Sequence, residues 1–246
     1  MSLAQDLDFS GRRVLVTGAA NGFGAAMAKN FAAHGASLVL ADIEVSTLES
    51  QARTLSAEMH VYDQADPDSI NRLAADVGAV DVLVNNAGIL VAKPLLETEL
   101  LDIRRLIDID FIGVALLMRA FAAPMVQRGA GVILNISSQM AFCGGEGRCI
   151  YAAAKAAVSQ LTRGAAVEWG PLGVRVLALA PGRSLTRMTV EGAGPDPVGR
   201  RGLNRVPLRR WGTPEEIAKM AVLLCSDVAG YVTGETVIAD GGYVLG

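Results

Sequence analysis

Tyr151, Lys155 and Ser138 are the side chains whose types and spacing best fit joint chemistry. Tyr151 and Lys155 lie four residues apart in an alanine-rich stretch, Tyr151 to Glu168, that reads as helix, so they share one face. A phenol titrates near pH ~10 in water, too high for a base at neutral pH. Bringing it to about 7 takes roughly 4 kcal/mol of preference for the phenolate. An ammonium one turn away in a cleft supplies that order of energy, aided by a positively charged ring bound beside it. Ser138 follows an apolar run that ends at Ile136, where its hydroxyl would hold a substrate oxygen. A Tyr-x3-Lys pair alone occurs by chance on many helices, so its weight depends on the elements around it.

A second constellation is the glycine loop Thr17-Gly18-Ala19-Ala20-Asn21-Gly22-Phe23-Gly24. It follows a short β-branched run, Arg13 to Thr17, and opens a helical pattern from Phe23 to His34 that stops at Gly35. Gly18 suits the tight turn, Gly22 the approach of main chain to a pyrophosphate, and Gly24 close helix–strand packing. Asn21 and Phe23 are further candidate contacts in the same loop. The helix start would face the anion with free N–H groups and a positive dipole end. Asp42 closes the next apolar run, 18 positions after Gly24 and near the ~20 expected of a ribose-binding acid. Its carboxylate would accept ribose hydroxyls and repel a 2′-phosphate, and Ile43 follows where a basic residue would hold one. NAD is therefore expected over NADP. Asp63, after the third run, is a candidate adenine contact.

The elements that must position these residues alternate. Strand-like runs are Arg13–Thr17, Ser37–Ala41, Met59–Val61, Val80–Val84, Val132–Ile136, Val174–Leu179 and Thr236–Ile238. Helical patterns fall between them, including one long stretch from about Glu99 to Gln127 and another over Pro214–Cys225, capped by Thr213. The strands are continuously apolar, so both faces are covered. The expected fold is a Rossmann-type, doubly wound parallel sheet of about seven strands in a three-layer α/β/α arrangement, as a single domain over 1–246. Such sheets bind ligands at the carboxyl ends of their strands, where both constellations sit.

Bulk features exclude other classes. The net charge of −3, with basic residues spread out, gives no nucleic-acid stripe and no membrane-surface helix. No apolar run reaches the ~18 residues of a membrane span, and Met1 to Ser10 is polar, so a cytoplasmic protein is expected. Cys143, Cys149 and Cys225 fit neither a disulfide framework nor a zinc site and read as buried or semi-buried spectators. The only histidines, His34 and His60, lie far from Ser138 in this topology, against a serine hydrolase. No metal-ligand spacing is present.

Taken together the motifs resemble the short-chain dehydrogenase/reductase family, in its single-domain, NAD-preferring branch. The likeness runs from Val14 to about Gly242. It includes the glycine loop, Asn85-Asn86-Ala87-Gly88, Ser138 thirteen before Tyr151, Tyr151-x3-Lys155, Pro181-Gly182 with Thr186, and Asp240-Gly241-Gly242. The resemblance implies a nicotinamide cofactor, a small alcohol or ketone substrate and a homotetramer. It makes Tyr151 the acid/base, gives Lys155 the roles of lowering its pKa and binding ribose, and has Ser138 orient the substrate. Asn86, Ala87, Gly88, Pro181, Gly182 and Thr186 would line the cofactor. Gln139, Met140 and Met188 are candidate substrate contacts. The family usually places an asparagine in the long helix to hold a relay water near the lysine. This chain has Asp110 there, a carboxylate that keeps an acceptor but loses the amide donors. Alternatives are an epimerase or dehydratase that retains its NAD, a non-catalytic NAD-binding regulator, and a 3-oxoacyl thioester reductase.

Overall fold

The computed structural model describes residues 2–184 and 203–245. Seven strands form one parallel sheet: β1 (Arg13–Thr17), β2 (Ser37–Asp42), β3 (Glu58–Val61), β4 (Val82–Asn85), β5 (Gly131–Ile136), β6 (Val174–Pro181) and β7 (Thr236–Ala239), in the order β3-β2-β1-β4-β5-β6-β7. The order reverses between β1 and β4, and the crevice outside their carboxyl ends is the expected ligand site.

Alternation along each strand sends residues to two cores, because successive side chains point to opposite faces. Val14, Val16, Leu38, Leu40, Val82, Val84, Leu134 and Leu179 pack on one side with α2 (Gly22–Ala33), α3 (Val45–Leu55) and the helix over Pro214–Cys225. Leu15, Val39, Leu83, Ile133 and Val176 pack on the other with α4 (Pro67–Val77), α6 (Val114–Arg128) and α7 (Cys149–Trp169). Helices therefore cover both faces, the reason the strand runs are apolar throughout. The Pro214–Cys225 helix, α8, begins as its sequence indicated. Thr213 caps it with Pro214 at the first turn, and Glu216 completes a reciprocal capping box. A short N-terminal helix, α1 (Leu3–Asp6), precedes β1.

The long helix expected over Glu99–Gln127 is interrupted. α5 (Leu100–Ile107) passes into a π-helical segment, Asp108–Gly113, before α6 begins. Apolar periodicity does not register this, since a π-turn adds a single residue to an otherwise helical pattern. The cysteine expectation also needs correction: Cys225 is buried and Cys143 half-buried, but Cys149 is exposed on the first turn of α7. Thr186 and Met188 lie outside the described residues. Among the described residues no helix is long and apolar enough to cross a membrane.

Candidate active site

A cleft of about 1060 Å³ opens at the carboxyl ends of the strands. It is lined by Gly18, Asn21, Gly22, Phe23, Asp42, Asp63, Asn86, Ala87, Gly88, Asp110, Ser138, Gln139, Met140, Tyr151, Lys155, Pro181 and Gly182. Most residues singled out from the sequence thus meet in one place. Gly24 stands behind the loop rather than in the cleft wall.

At one end, Gly18 and Gly22 adopt positive φ, 63° and 55°, the turn that carries the chain from β1 into α2. A Cβ on Gly24 would lie 2.0 Å from the Gly18 carbonyl oxygen, so only glycine lets helix and loop approach. Asn86 donates its side-chain amide to the Thr17 and Gly18 carbonyls, both at 3.0 Å, clamping the loop onto the end of β4. Asn21 stands at the N-cap of α2 but makes no capping bond. Its amide goes instead to Glu44, at 2.9 Å, so the first N–H groups of α2 stay open to an anion. Asp42 accepts from the backbone N–H of Ala20 at 2.9 Å and of Glu44 at 3.0 Å. A carboxylate has about four acceptor sites, so it keeps capacity for hydroxyls while bracing the loop. Asp42 and Glu44, at and just past the end of β2, both line this end. Glu44 was missed from sequence, although it stands only two residues past Asp42. Asp63 accepts from the backbone N–H of Ala65 at 2.8 Å and faces the same end.

At the other end, hydrogen bonds lock α7 to β5. Ser137 donates to the Lys155 carbonyl at 3.0 Å and shares a 2.8 Å bond with Ser159. Asn135 donates to Thr162 at 2.9 Å and accepts from Asn85, also at 2.9 Å. Apart from Asn85, which was quoted with its motif, these positioning residues were not picked out from sequence, because an isolated polar residue shows its partner only once the helix is docked. The register they impose puts Lys155, 5% exposed, with its Nζ 3.2 Å from the Ile136 carbonyl and 5.7 Å from the centre of the Tyr151 ring. Ser138 lines the cleft with Tyr151, and its Oγ accepts from the Met140 N–H at 3.2 Å.

Asp110 is fully buried in the π-segment. Its Oδ1 accepts from the Ile89 N–H at 2.8 Å, and its Oδ2 lies 3.1 Å from Lys155 Nζ without an aligned hydrogen bond. Gln64, another residue sequence did not reveal, donates to the Ile109 carbonyl at 2.7 Å and the Ala87 carbonyl at 3.0 Å, satisfying backbone beside the irregular turn. Tyr62 in turn donates to Gln64 Oε1 at 2.7 Å. Gly88 gives the pair room: a Cβ there would sit 3.2 Å from Asp110 Oδ2 and 3.3 Å from Lys155 Nζ.

The charges of this cluster are coupled. Burial raises the Asp110 carboxyl above its ordinary pKa, against the opposing pull of Lys155 and the Ile89 N–H. Burial alone would depress the Lys155 ammonium, but the charges of Asp110 and Tyr151 outweigh it and the net shift is upward. Burial also raises the Tyr151 phenol. Lys155 and Ser138 pull it down, and Asp110 pushes it up. The protein alone therefore holds the phenol above its ordinary value, and the lysine offsets only part of the desolvation.

The family model described as enoyl-(acyl carrier protein) reductase matches residues 18–244. The chain is 40% identical over 246 residues to cis-4-hydroxycyclohexanecarboxylate dehydrogenase of Sinomonas cyclohexanicum, spanning 96% of this chain and 97% of that one. It is 36% identical over 244 residues to a 3-oxoacyl-(acyl-carrier-protein) reductase of Thermotoga maritima, spanning 96% and 98%. Among solved structures it resembles one described as an NAD(P)-dependent gluconate 5-dehydrogenase of Beutenbergia cavernae, which holds NADP at low occupancy. The TM-score is 0.94 at 36% identity, covering 98% of this chain and 100% of that one. The fold and cleft are those of a Rossmann-type oxidoreductase. The chain belongs to the short-chain dehydrogenase/reductase family.

Proposed function

We propose that this protein is an NAD-dependent dehydrogenase that interconverts a secondary alcohol and a ketone, with Tyr151 as acid/base. The observation that carries the reading is the convergence of Ser138, Tyr151 and buried Lys155 in the cleft that also holds the glycine loop and Asp42. A dinucleotide suits that cleft: the α2 amides open to an anion would take its pyrophosphate, and Asp42 the hydroxyls of its ribose. Lys155 and Asn86–Gly88 would hold the nicotinamide half, with Pro181 and Gly182 closing that side. When bound, the oxidised nicotinamide accepts the hydride and places a positive ring beside the phenol.

The chain's own groups manage the proton. Ser138 orients the substrate oxygen, and Tyr151 takes its hydroxyl proton during oxidation. Lys155 stays charged and favours the phenolate. NAD is preferred because Asp42 and Glu44 line the adenosine end, and two carboxylates there disfavour a ribose 2′-phosphate. The family resemblance extends the reading to a cytoplasmic homotetramer. A second reading, reduction of a 3-oxoacyl thioester, is favoured by the Thermotoga maritima relative.

A panel of polyols, hydroxy acids and cyclic alcohols with NAD and with NADP, followed at the absorbance of the reduced cofactor, tests the proposal. Oxidation of one class with NAD supports it. NAD binding with no oxidation across the panel, and no reduction of an acetoacetyl thioester, points to a binding protein instead.

A further inference from the structure

The loop after β3 meets the π-segment Asp108–Gly113 through one side chain. Gln64 is 6% exposed, and both ends of its amide are engaged. The nitrogen donates to the Ile109 carbonyl at 2.7 Å and the Ala87 carbonyl at 3.0 Å, and the oxygen accepts from Tyr62 at 2.7 Å. Tyr62 fixes which way the amide points. Burial pushes its phenol well above the ordinary value, so it stays a donor and takes the oxygen, leaving the nitrogen to the two carbonyls.

A side chain that enters the hydrogen-bond ladder of a helix is one of the causes of an irregular turn, and Ile109 offers its carbonyl to Gln64 from within the π-segment. Gly113, at the far end of the segment, shows the same fit. A Cβ there would overlap Gln64 Cγ and lie 2.5 Å from the Gln64 carbonyl oxygen, so the segment admits this loop only because the position is glycine. Asp110 follows Ile109 directly. Its Oδ1 takes the Ile89 N–H at 2.8 Å, and its Oδ2 stands 3.1 Å from Lys155 Nζ. The amide thus ties Ile109 to Ala87 one residue before Asp110 ties itself to Ile89, and the two ties together aim the carboxylate at the lysine.

Ionisable groups reach this carboxylate's surroundings from several elements. α7 carries Lys155 and Tyr151, the loop after β3 Tyr62 and Asp63, the end of α5 Arg104 and Arg105, and the π-segment Asp108. The stretch Asn86 to Val91 and the first turn of α6 carry none. Lys155 acts on Asp110, and Tyr151 in turn faces Lys155, Asp110 and Arg148. A displaced π-segment therefore changes the Asp110–Lys155 distance first.

We propose that Gln64 is a positioning residue for proton transfer: by holding the π-segment it sets Asp110 against Lys155, and through that pair the charge that Tyr151 meets. This deepens the dehydrogenase reading and rests on it. Gln64 acts through Asp110, not on the substrate.

Gln64→Met keeps the length and packing of the side chain but loses all three hydrogen bonds. Combined with Asp110→Asn in a double-mutant cycle, read as melting temperature without cofactor from pH 4 to 7, it tests the link. The pH-dependent separation between wild type and Asp110→Asn should shrink by roughly half or more when Gln64→Met is present in both proteins. A residue that only pairs carbonyls lowers both curves and leaves the separation as it was. Kinetics with the best alcohol and saturating NAD give a second readout. In Gln64→Met, kcat should fall roughly tenfold or more, while the KM for the alcohol and the affinity for NAD stay within a few-fold of wild type. The rise of rate with pH should move down by about half a unit or more, toward that of Asp110→Asn, and adding Gln64→Met to Asp110→Asn should move it no further. Tyr62→Phe keeps the ring and the Gln64 donors but frees the amide to turn. It should give the same changes in smaller size, and it carries the test if Gln64→Met does not fold. A separation of melting curves unchanged by either variant overturns the inference and leaves the dehydrogenase reading intact, as does a pH shift of equal size with and without Asp110→Asn. Failure to oxidise any alcohol overturns the dehydrogenase reading and with it the role in proton transfer.

Discussion

Replacing Asp110 by asparagine keeps the shape and the acceptor for the Ile89 N–H but removes an ionisable group that is fully buried, with Oδ2 3.1 Å from Lys155 Nζ. At an effective dielectric of 20, attraction at that distance is roughly 5 kcal/mol, and burying the carboxylate costs several kcal/mol. Burial wins, because the folded-state pKa of Asp110 lies above its unfolded value. The linkage sign follows. A raised pKa gives stability that is fully present below the unfolded carboxyl pKa of about 4 and is lost as pH rises through the folded value. Lys155 is also raised, but its contribution is lost only in alkali, above the unfolded lysine value of about 10.4. From pH 4 upward the wild type should therefore lose stability relative to Asp110→Asn, by at most about 1.4 kcal/mol per pH unit while only the folded carboxyl holds its proton. For a chain of this length that is roughly 3–6 °C of Tm per pH unit. The assay is the melting temperature of both proteins, without cofactor, at half-unit steps from pH 4 to 7. Other titrating groups cancel in the difference. Curves that stay parallel across this range refute the reasoning, for they mean that Asp110 titrates in the folded protein as it does in the unfolded chain. In turnover, loss of the Asp110 charge removes one influence that raises the Tyr151 phenol. The rise of alcohol oxidation with pH, which follows ionisation of that phenol, should then move to lower pH.

Other expectations rest on separate contacts. Gly24→Ala drives a Cβ against the Gly18 carbonyl, so NAD affinity measured by calorimetry should fall at least tenfold and stability by about 1–3 kcal/mol. Gly164→Ala, in the same kind of element but with open space around it, should be neutral or stabilise by up to about 1 kcal/mol, and equal losses in the two variants would contradict the steric account. Glu44→Arg leaves Asp42 bracing the loop but converts one of the acids at this end to a base. The ratio of NAD to NADP affinity should drop tenfold or more, and no change would mean that a 2′-phosphate does not reach this end of the cleft. Gln64→Leu deprives two backbone carbonyls of their donor beside the π-segment, a cost of about 2 kcal/mol or more. Tm should fall by about 4–8 °C, and an unchanged Tm would show that the irregular turn does not need this side chain.

The sheet could be read from the sequence because runs such as Val14-Leu15-Val16 and Ile133-Leu134 are apolar on both faces, a pattern with few solutions other than a covered parallel sheet. The glycine loop and the Tyr151–Lys155 pair were visible for a related reason: each is local in sequence and its chemistry depends on fixed spacing. What stayed hidden depends on distant pairing. The π-segment at Asp108–Gly113 leaves no periodic trace, yet it helps set Asp110 beside Lys155. Gln64 is an unremarkable polar residue in a loop until α5 and β4 bring Ile109 and Ala87 to its amide. Asn135 and Ser137 look like interruptions of an apolar strand, and only the docked α7 shows them holding the catalytic helix in register. The direction of the Tyr151 shift was also out of reach. Four-residue spacing reveals the lysine but not the burial that outweighs it.

Kinetics of Tyr151→Phe test the central claim most directly, using the best alcohol from the panel with NAD and measuring NAD binding by calorimetry in parallel. Removing the hydroxyl should lower kcat/KM by roughly 10²–10⁴-fold and abolish the rise in rate with pH that ionisation of the phenol causes, while NAD affinity stays within a few-fold of wild type. Turnover that survives with the same pH dependence would contradict the account, because the proton would then be leaving the substrate by a route that does not pass through this phenol.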